Sequence, residues 1–260
     1  MTSGNLFFNN VQINGTDEYG SVIVFPGSID DAPPRVQNVA DIPKNNGGVI
    51  IDEGRYKNLN HSYGVVITGV DADGAAILRH RLVNRLCGSG GYKRLSDSFH
   101  VNEFYEAYLS DGITFTPDDL RKSYKGVLNF YRKPQRFLTA GETPIPSPES
   151  WSGDNIAITN PYMPAKPIIR LTRADGYTNN PNFTMNMSGG SVRVTGTVGT
   201  WVEIDTERMS YRVQSSGSST TVTFSGKPVI PTGQSTITFT GTNPTSWLGG
   251  YELTPRWWRL

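Results

Sequence analysis

Three carboxylates alternate along one segment in the second half of the chain. Glu203, Asp205 and Glu207 occupy every second position, and the apolar Val202 and Ile204 flank Glu203. Because successive side chains of a strand point to opposite faces, an extended segment would place all three carboxylates on one face. Paired carboxylates can perform general acid and base catalysis, as in glycoside hydrolysis. The interpretation that we favour is a solvated strand face whose Val202 and Ile204 are buried.

The three histidines do not form a metal-binding motif. His61, His80 and His100 show neither HxH nor HExxH spacing, so a metal site would have to assemble from distant parts of the chain. His80 lies between Arg79 and Arg81, which favours a solvated position. We predict no metal site.

Asp71 and Asp73 resemble the start of a calcium loop. An EF-hand needs oxygen ligands further along, where this chain has the apolar Ile77 and Leu82. Capping of a helix explains the two aspartates better.

Nucleophile motifs are also missing from the sequence. There is no GxSxG elbow, and GSGG at residues 88–91 lacks the GK[ST] of a phosphate loop. Cys87 is the single cysteine, which excludes an intramolecular disulfide, and its apolar neighbour Leu86 indicates a small buried residue. We therefore predict no catalytic residue and no cofactor.

Length and composition indicate two folded domains. The chain has 260 residues and a net charge of +1, so it lacks the basic surplus expected of a dedicated nucleic-acid binder. It contains 28 Gly and 17 Pro, which is typical of a turn-rich β protein. We find neither a signal peptide nor a run of about 18 apolar residues, and we expect a protein made in the cytoplasm without membrane insertion.

The first half shows four strand patterns and one convincing helix. Alternating segments at residues 21–25, 49–52, 63–70 and 126–131 indicate strands. Ala75, Leu78, Leu82 and Leu86 fall at helical spacing, with Gly88 as a stop. A weaker helix is predicted at residues 117–122, where two aspartates would suit a first turn.

The second half is rich in Ser and Thr and shows strand patterns only. They occur at residues 191–196, 200–205, 220–224 and 235–241, which favours a β-sandwich. Between the two halves, every second residue is a proline, at Pro144, Pro146 and Pro148. Proline has no backbone N–H, so these positions cannot donate hydrogen bonds to a sheet. We therefore predict domains at residues 1–140 and 156–260, joined by a linker at residues 141–155.

Several long motifs together resemble one protein family. They are GGVIIDEGRYKNLNHSYGVVI at residues 47–67, GYKRLSDSFHVNEFYEAYLSDGI at residues 91–113 and KPQRFLTAGE at residues 133–142. The second half adds ITNPYMPAKPIIRL, VEIDTERMSYR and the terminal PRWWRL. From about residue 40 onward, the chain resembles the distal tail proteins, called Dit, of long-tailed phages that infect Gram-positive bacteria.

This resemblance implies a mainly β fold with two domains. The first would be a two-sheet domain like tail-tube proteins, flanked by one helix, and the second a galectin-like β-sandwich. It also implies a homo-hexameric ring at the distal end of the tail tube. The ring would bind the tube protein above and the tail-associated lysin or fibre hub below, carry receptor-binding proteins, and let DNA pass through its lumen.

The motifs that carry the resemblance contain the residues that we predict to have structural or interface roles. They are Asp52, Gly54, Arg55, Tyr56, Lys133, Pro134, Gln135, Arg136, Phe137, Trp257 and Trp258. We expect Arg55 to pair with an acidic group of its own chain or of a neighbour, and Trp257 or Trp258 to be buried.

Two other functions are consistent with the residues. A carbohydrate-binding module would stack sugar on Trp151, Trp201 and Trp247, and a glycosidase would use Glu203 and Asp205. We favour the non-enzymatic virion protein.

Overall fold

The computed structural model describes residues 3–27, 32–43, 46–88, 90–214, 220–242 and 244–260. The chain divides into two compact units, residues 1–136 with Leu260, and residues 137–259. Each unit has its own core of buried apolar side chains. The mainly β, two-domain fold class predicted from the sequence is confirmed.

Most strands of unit 1 form one antiparallel path. They follow the order β2-β1-β8-β9-β11-β7-β4-β3, and β10 pairs with β11. An isolated bridge between Gly4, just before β1, and Val24 of β4 links the two sides of this path. The strands are β1 (Leu6–Phe8), β2 (Val11–Gln12), β3 (Gly15–Asp17), β4 (Gly20–Pro26), β5 (Arg35–Asp41), β6 (Gly48–Tyr56), β7 (Leu59–Gly69), β8 (Lys93–Asp97), β9 (Glu103–Leu109), β10 (Phe115–Pro117) and β11 (Ser123–Arg132).

Helix α1 (Ala72–Cys87) covers the buried face of this sheet. The Asp71 side chain caps it by accepting a hydrogen bond of 2.7 Å from the Gly74 N–H, as the sequence predicts. Ala75, Leu78 and the other apolar residues at the same spacing are buried against the strands. The helix therefore follows from local sequence and from one apolar stripe.

Two expectations for unit 1 are wrong. The segment predicted as a helix at residues 117–122 instead ends β10 at Pro117 and forms a tight turn over residues 118–122, because the Asp118 N–H donates to the Ser123 carbonyl and Arg121 adopts a φ of 56°. Cys87 is exposed, since Leu86 takes the inward position at the end of α1.

Unit 2 begins at Phe137, within β12 (Arg136–Leu138), and continues with a 3₁₀-helix (Thr139–Glu142). Two antiparallel sheets follow, in the orders β13-β21-β15-β17-β18 and β14-β20-β16-β19, and they share one apolar core as a β-sandwich. The strands are β13 (Ile145–Pro146), β14 (Asn155–Asn160), β15 (Ile168–Arg173), β16 (Asn182–Gly196), β17 (Trp201–Asp205), β18 (Ser210–Val213), β19 (Thr220–Val229), β20 (Gly233–Gly241), β21 (Leu248–Thr254) and β22 (Trp258–Arg259).

Two local features of unit 2 differ from the sequence patterns. The segment at residues 141–155 lies within unit 2, where Ile145 pairs with Leu253 and the Ser147 N–H donates to the Tyr251 carbonyl. A short helix, α2 (Pro244–Trp247), interrupts the strands although no helical pattern precedes it. Four residues are too few to produce a visible period.

Candidate assembly surface

The motif at residues 47–56 lies on an exposed hairpin of unit 1. Strands β5 and β6 pair only with each other among the described residues, and they form a separate two-stranded sheet. Val39 faces Ile50 on one side of the hairpin, and Ala40 faces Val49 on the other. We call Val39, Ala40, Val49, Ile50 and Ile51 the apolar ribbon.

Both faces of the apolar ribbon are open to solvent. Val39 is 68% exposed, Ile50 63% and Ile51 54%. Exposed apolar residues that occur singly are common, but a contiguous group indicates an interaction surface. A two-stranded hairpin is also only marginally stable by itself in water. The ribbon therefore has the properties of a segment that is completed by a partner.

Charged residues fix the base of the hairpin. Arg35 lies 2.9 Å from the Asp52 carboxylate, and its guanidinium stacks 5.4 Å from the centre of the Tyr56 ring. The Asp52 carboxylate also accepts a hydrogen bond of 2.8 Å from the Gly54 N–H, whose backbone has a φ of 70°. This hydrogen bond, together with Arg35, holds the pKa of Asp52 below its ordinary value. Asp52, Gly54 and Tyr56 thus shape the exit from the ribbon.

Arg55 pairs within its own chain. Its guanidinium lies 2.8 Å from the Glu53 carboxylate, two residues away, and its side chain is 68% exposed. The sequence predicted an acidic partner either in the same chain or in a neighbour. In the structure, the carboxylate beside Arg55 is that of Glu53 in the same chain. An exposed pair of this kind contributes little to stability.

The KPQRF motif lies at the end of β11 and crosses into unit 2 at Phe137. The Lys133 ammonium pairs with the Glu106 carboxylate and lies 5.1 Å from the centre of the Tyr92 ring. Pro134 is buried, and the half-buried Gln135 has a side-chain oxygen shielded from solvent. Arg136 lies 3.9 Å from the buried Glu103 carboxylate. These residues hold the end of the unit 1 sheet in place.

Trp257 and Trp258 belong to unit 2. Trp257 is part of the buried core, as predicted for at least one of the pair. The half-buried Trp258 donates a hydrogen bond of 2.9 Å from its indole N–H to the Pro164 carbonyl. Both rings therefore hold the end of the chain on the sandwich.

The tryptophans proposed as a sugar platform do not form one. Trp247 is 0% exposed and lies inside the sandwich core. Trp151 packs edge-on against Tyr251, and its indole N–H donates to the Asn155 carbonyl. The Arg170 guanidinium covers Trp201 at 4.4 Å from the ring. All three rings therefore pack against other side chains of the sandwich. The prediction that they form an exposed sugar-binding platform is wrong.

Glu203 and Asp205 lie on the face of β17 opposite the buried Val202 and Ile204, as we favoured, whereas Glu207 lies in the turn that follows the strand. Glu203 lies between Arg170 of β15 and Arg212 of β18 in the strand register. Asp205 accepts hydrogen bonds of 2.8 and 2.9 Å from Arg256. Pairing with arginines therefore explains why Glu203 and Asp205 are present, without a catalytic role.

A buried polar cluster in unit 1 escaped the sequence patterns. The Tyr63 hydroxyl donates to the Asp97 carboxylate, which also accepts hydrogen bonds from the Phe99 and His100 N–H groups at 2.9 and 2.8 Å. Burial, followed by the nearby Asp97 charge, raises the pKa of Tyr63 well above its ordinary value. The buried His61 ring lies 4.7 Å from the Tyr63 ring. No short motif links residues this far apart.

Neither a metal-binding cluster nor a membrane-spanning helix occurs among the described residues. No group of three or more His, Cys, Asp or Glu side chains in the described ranges is arranged to hold a metal ion. Among the helices of the same part of the chain, none is both long and apolar enough to cross a membrane.

No protein-family model matches the sequence, and no curated protein matches it. Solved structures do match over nearly the whole chain. One is the Dit protein of phage SPP1, described as a paradigm of the hub adsorption apparatus in phages that infect Gram-positive bacteria; it has a TM-score of 0.62 and 12% identity, with 96% of this chain and 97% of that chain covered.

Two chains of the phage P2 baseplate in its activated conformation also match. The chain from the structure with Ca has a TM-score of 0.53 and 11% identity, covering 100% of this chain and 99% of its own. The chain from the structure with Sr has a TM-score of 0.50 and 11% identity, covering 96% of both chains. Over nearly its entire length, the protein therefore shares the fold of the SPP1 Dit protein. The fold expected from the family resemblance of the motifs is confirmed.

Proposed function

We propose that the protein is a structural, non-enzymatic component of a phage tail and acts as a distal tail protein. The observation that carries this proposal is the shared fold with the SPP1 Dit protein, which covers both units in one alignment. A match that spans both units favours the role of the whole hub protein over a role based on one module. The location would be the distal end of the tail in the virion.

The assembly we propose is a homo-hexameric ring built by unit 1. The apolar ribbon supports this, because it exposes a contiguous apolar surface on both faces of an otherwise unsupported hairpin. Closed rings bury such surfaces without leaving copies that continue to aggregate. The ring would join the tail tube to the tail-associated lysin or fibre hub, hold receptor-binding proteins outside, and leave a lumen for DNA.

Electron microscopy and light scattering of the full chain test this proposal. We expect a ring with six-fold symmetry and a central hole, with a mass six times that of the 28.6 kDa chain. Assembly should withstand both a chelator and a reductant, since we expect neither a bridging metal nor a disulfide. A particle that stays monomeric at all concentrations, or one without a hole, would contradict the ring.

The absence of enzymatic activity is tested separately. Incubation with cell-wall glycans should give no turnover, because the carboxylates of β17 are held by arginines. Cleavage that is lost in Glu203→Gln would show that the enzymatic alternative is right.

A further inference from the structure

Unit 1 has a cleft beside α1 to which the preceding sections assign no role. It is open to solvent and has a volume of about 500 Å³, which is within the range of protein binding sites. We call it the α1 cleft, and its lining consists of Arg79, His80, Val83, Asn84, Ile113 and Phe115.

The α1 cleft combines an apolar wall with a cation. Val83, Ile113 and Phe115 form the wall. The Arg79 guanidinium lies 5.1 Å from the centre of the Tyr124 ring and 3.2 Å from the imidazole Nε2 of His80. In the part of the chain that the structure describes, no carboxylate pairs with Arg79. The cleft therefore suits a carboxylate that is flanked by aliphatic side chains.

The hairpin of unit 1 carries such a group. Asp41 is exposed at the end of β5, and within the described ranges no cation pairs with it. It lies two residues after Val39, on the same face of the strand, and Val39 is paired with Ile50 of the apolar ribbon. A carboxylate and two large aliphatic side chains thus point in one direction.

The spacing of the two surfaces also agrees. Two residues of a strand span about 6.7 Å, which is the distance from the Val39 backbone to the Asp41 backbone. Arg79 and Val83 are four residues apart on α1, a separation of about 6 Å along one face of the helix. A carboxylate placed on Arg79 would therefore bring its aliphatic neighbour onto the apolar wall.

We propose that the apolar ribbon of one subunit docks into the α1 cleft of the next subunit, where Asp41 pairs with Arg79. Val39 and Ile50 then pack on the apolar wall. The occupant is a second copy of this chain, because the hairpin carries the carboxylate and the large aliphatic side chains that complement the cation and the apolar wall of the cleft. This inference rests on the proposed ring and specifies its contact. The two surfaces differ, so the contact is head-to-tail and is repeated around a closed ring.

Charge reversal provides the first test, read by light scattering and by a melting curve for each variant. Asp41→Arg and Arg79→Asp should each weaken assembly by about tenfold or more, since each places like charges together at the contact. The double variant should restore at least half of the assembled fraction. Arg85→Asp, the same charge change on an exposed residue of α1 outside the cleft, is the matched control and should leave assembly unchanged.

Cross-linking in the full chain provides the second test. In a Cys87→Ser background, Ile50→Cys combined with Asn84→Cys should give covalent oligomers up to the hexamer with a short bis-maleimide. Ile50→Cys combined with Asp73→Cys, an exposed position at the opposite end of α1, should give none.

The outcomes separate this contact from the ring itself. Rings that persist in both single charge variants, with no cross-links between positions 50 and 84, would overturn the contact and leave the ring intact. Loss of assembly in Arg79→Asp alone would assign another segment to the α1 cleft and also overturn the proposal. A wild-type chain that remains monomeric would remove the ring together with its contact.

Discussion

Arg256 holds both carboxylate oxygens of Asp205, 51 residues earlier in the chain, at 2.8 and 2.9 Å. Both side chains are mostly shielded from solvent. The Asp205 carboxylate also accepts hydrogen bonds from the Glu207 and Arg208 N–H groups, at 3.0 and 3.1 Å. The pair therefore fastens the C-terminal segment of the chain to the end of β17.

Arg256→Ala should lower the free energy of unfolding of the sandwich by about 1.5–3 kcal/mol, the range for hydrogen bonds to charged groups. Denaturant unfolding measures this. Arg208→Ala is the control, because that exposed side chain lies 3.8 Å from Asp205 and should change stability by less than about 0.5 kcal/mol. Equal losses in the two variants would show that the bidentate pair has no special role.

The same pair predicts a loss of stability in acid. Burial raises the pKa of Asp205, but the hydrogen bonds from Arg256 and the backbone outweigh it and hold the pKa below its ordinary value. A depressed pKa in the folded state gives stability that is present above the unfolded pKa of about 3.9. That stability is lost as the pH falls through the lower folded value. Unfolding curves below about pH 4 should thus fall more steeply for the wild type than for Asp205→Asn.

Tyr63→Phe should destabilise unit 1 by about 1–3 kcal/mol, because the buried Asp97 carboxylate loses a hydrogen-bond donor. Its raised pKa means that Tyr63 contributes stability below about pH 10, which is lost at higher pH. Urea unfolding measures the first effect and ultraviolet titration of the phenols the second. Tyr92→Phe, which removes an exposed hydroxyl bonded to Asn58, should change stability by less than about 0.5 kcal/mol.

Trp247→Ala should cost about 3–5 kcal/mol, since the ring is fully buried between Phe183 and its neighbours in the sandwich. Trp247→Phe should cost much less, because the indole N–H is buried with no partner among the described residues. Thermal melting of unit 2 distinguishes the two variants.

Sugar binding by the wild type that disappears in Trp201→Ala would revive the carbohydrate-binding alternative.

Assembly should reside in the first half of the chain. Residues 1–136 expressed alone should form the ring, and residues 137–260 should be monomeric, since the apolar ribbon lies in unit 1. Light scattering on each half measures this, and a melting curve of each half checks that the halves fold separately. A monomeric first half beside a hexameric second half would reverse the assigned roles.

Local patterns predicted the elements that depend on local physics. The spacing of Ala75, Leu78 and Leu82 gave the helix, because one apolar stripe packs on one sheet. The strands around Val22, Val65 and Val202 followed from their alternation. These features need no knowledge of distant residues.

Features set by distant contacts were not predictable. The Asp118 turn looked helical because its carboxylates suit a first turn, while pairing of β10 with β11 decides its conformation. Tyr63 and Asp97 are 34 residues apart and meet only through the sheet. The exposure of Val39 and Ile50 also could not be read from the sequence, because an alternating apolar strand normally covers a core.

The bridge between Gly4 and Val24 protects β4 from fraying. It ties the segment before β1 to β4, so β4 does not present a free edge at that point. Local opening begins at free edges, where backbone hydrogen bonds are exposed to water. Loss of the bridge would therefore speed hydrogen exchange at Val24 and its neighbours in β4 more than it would lower the melting temperature of unit 1.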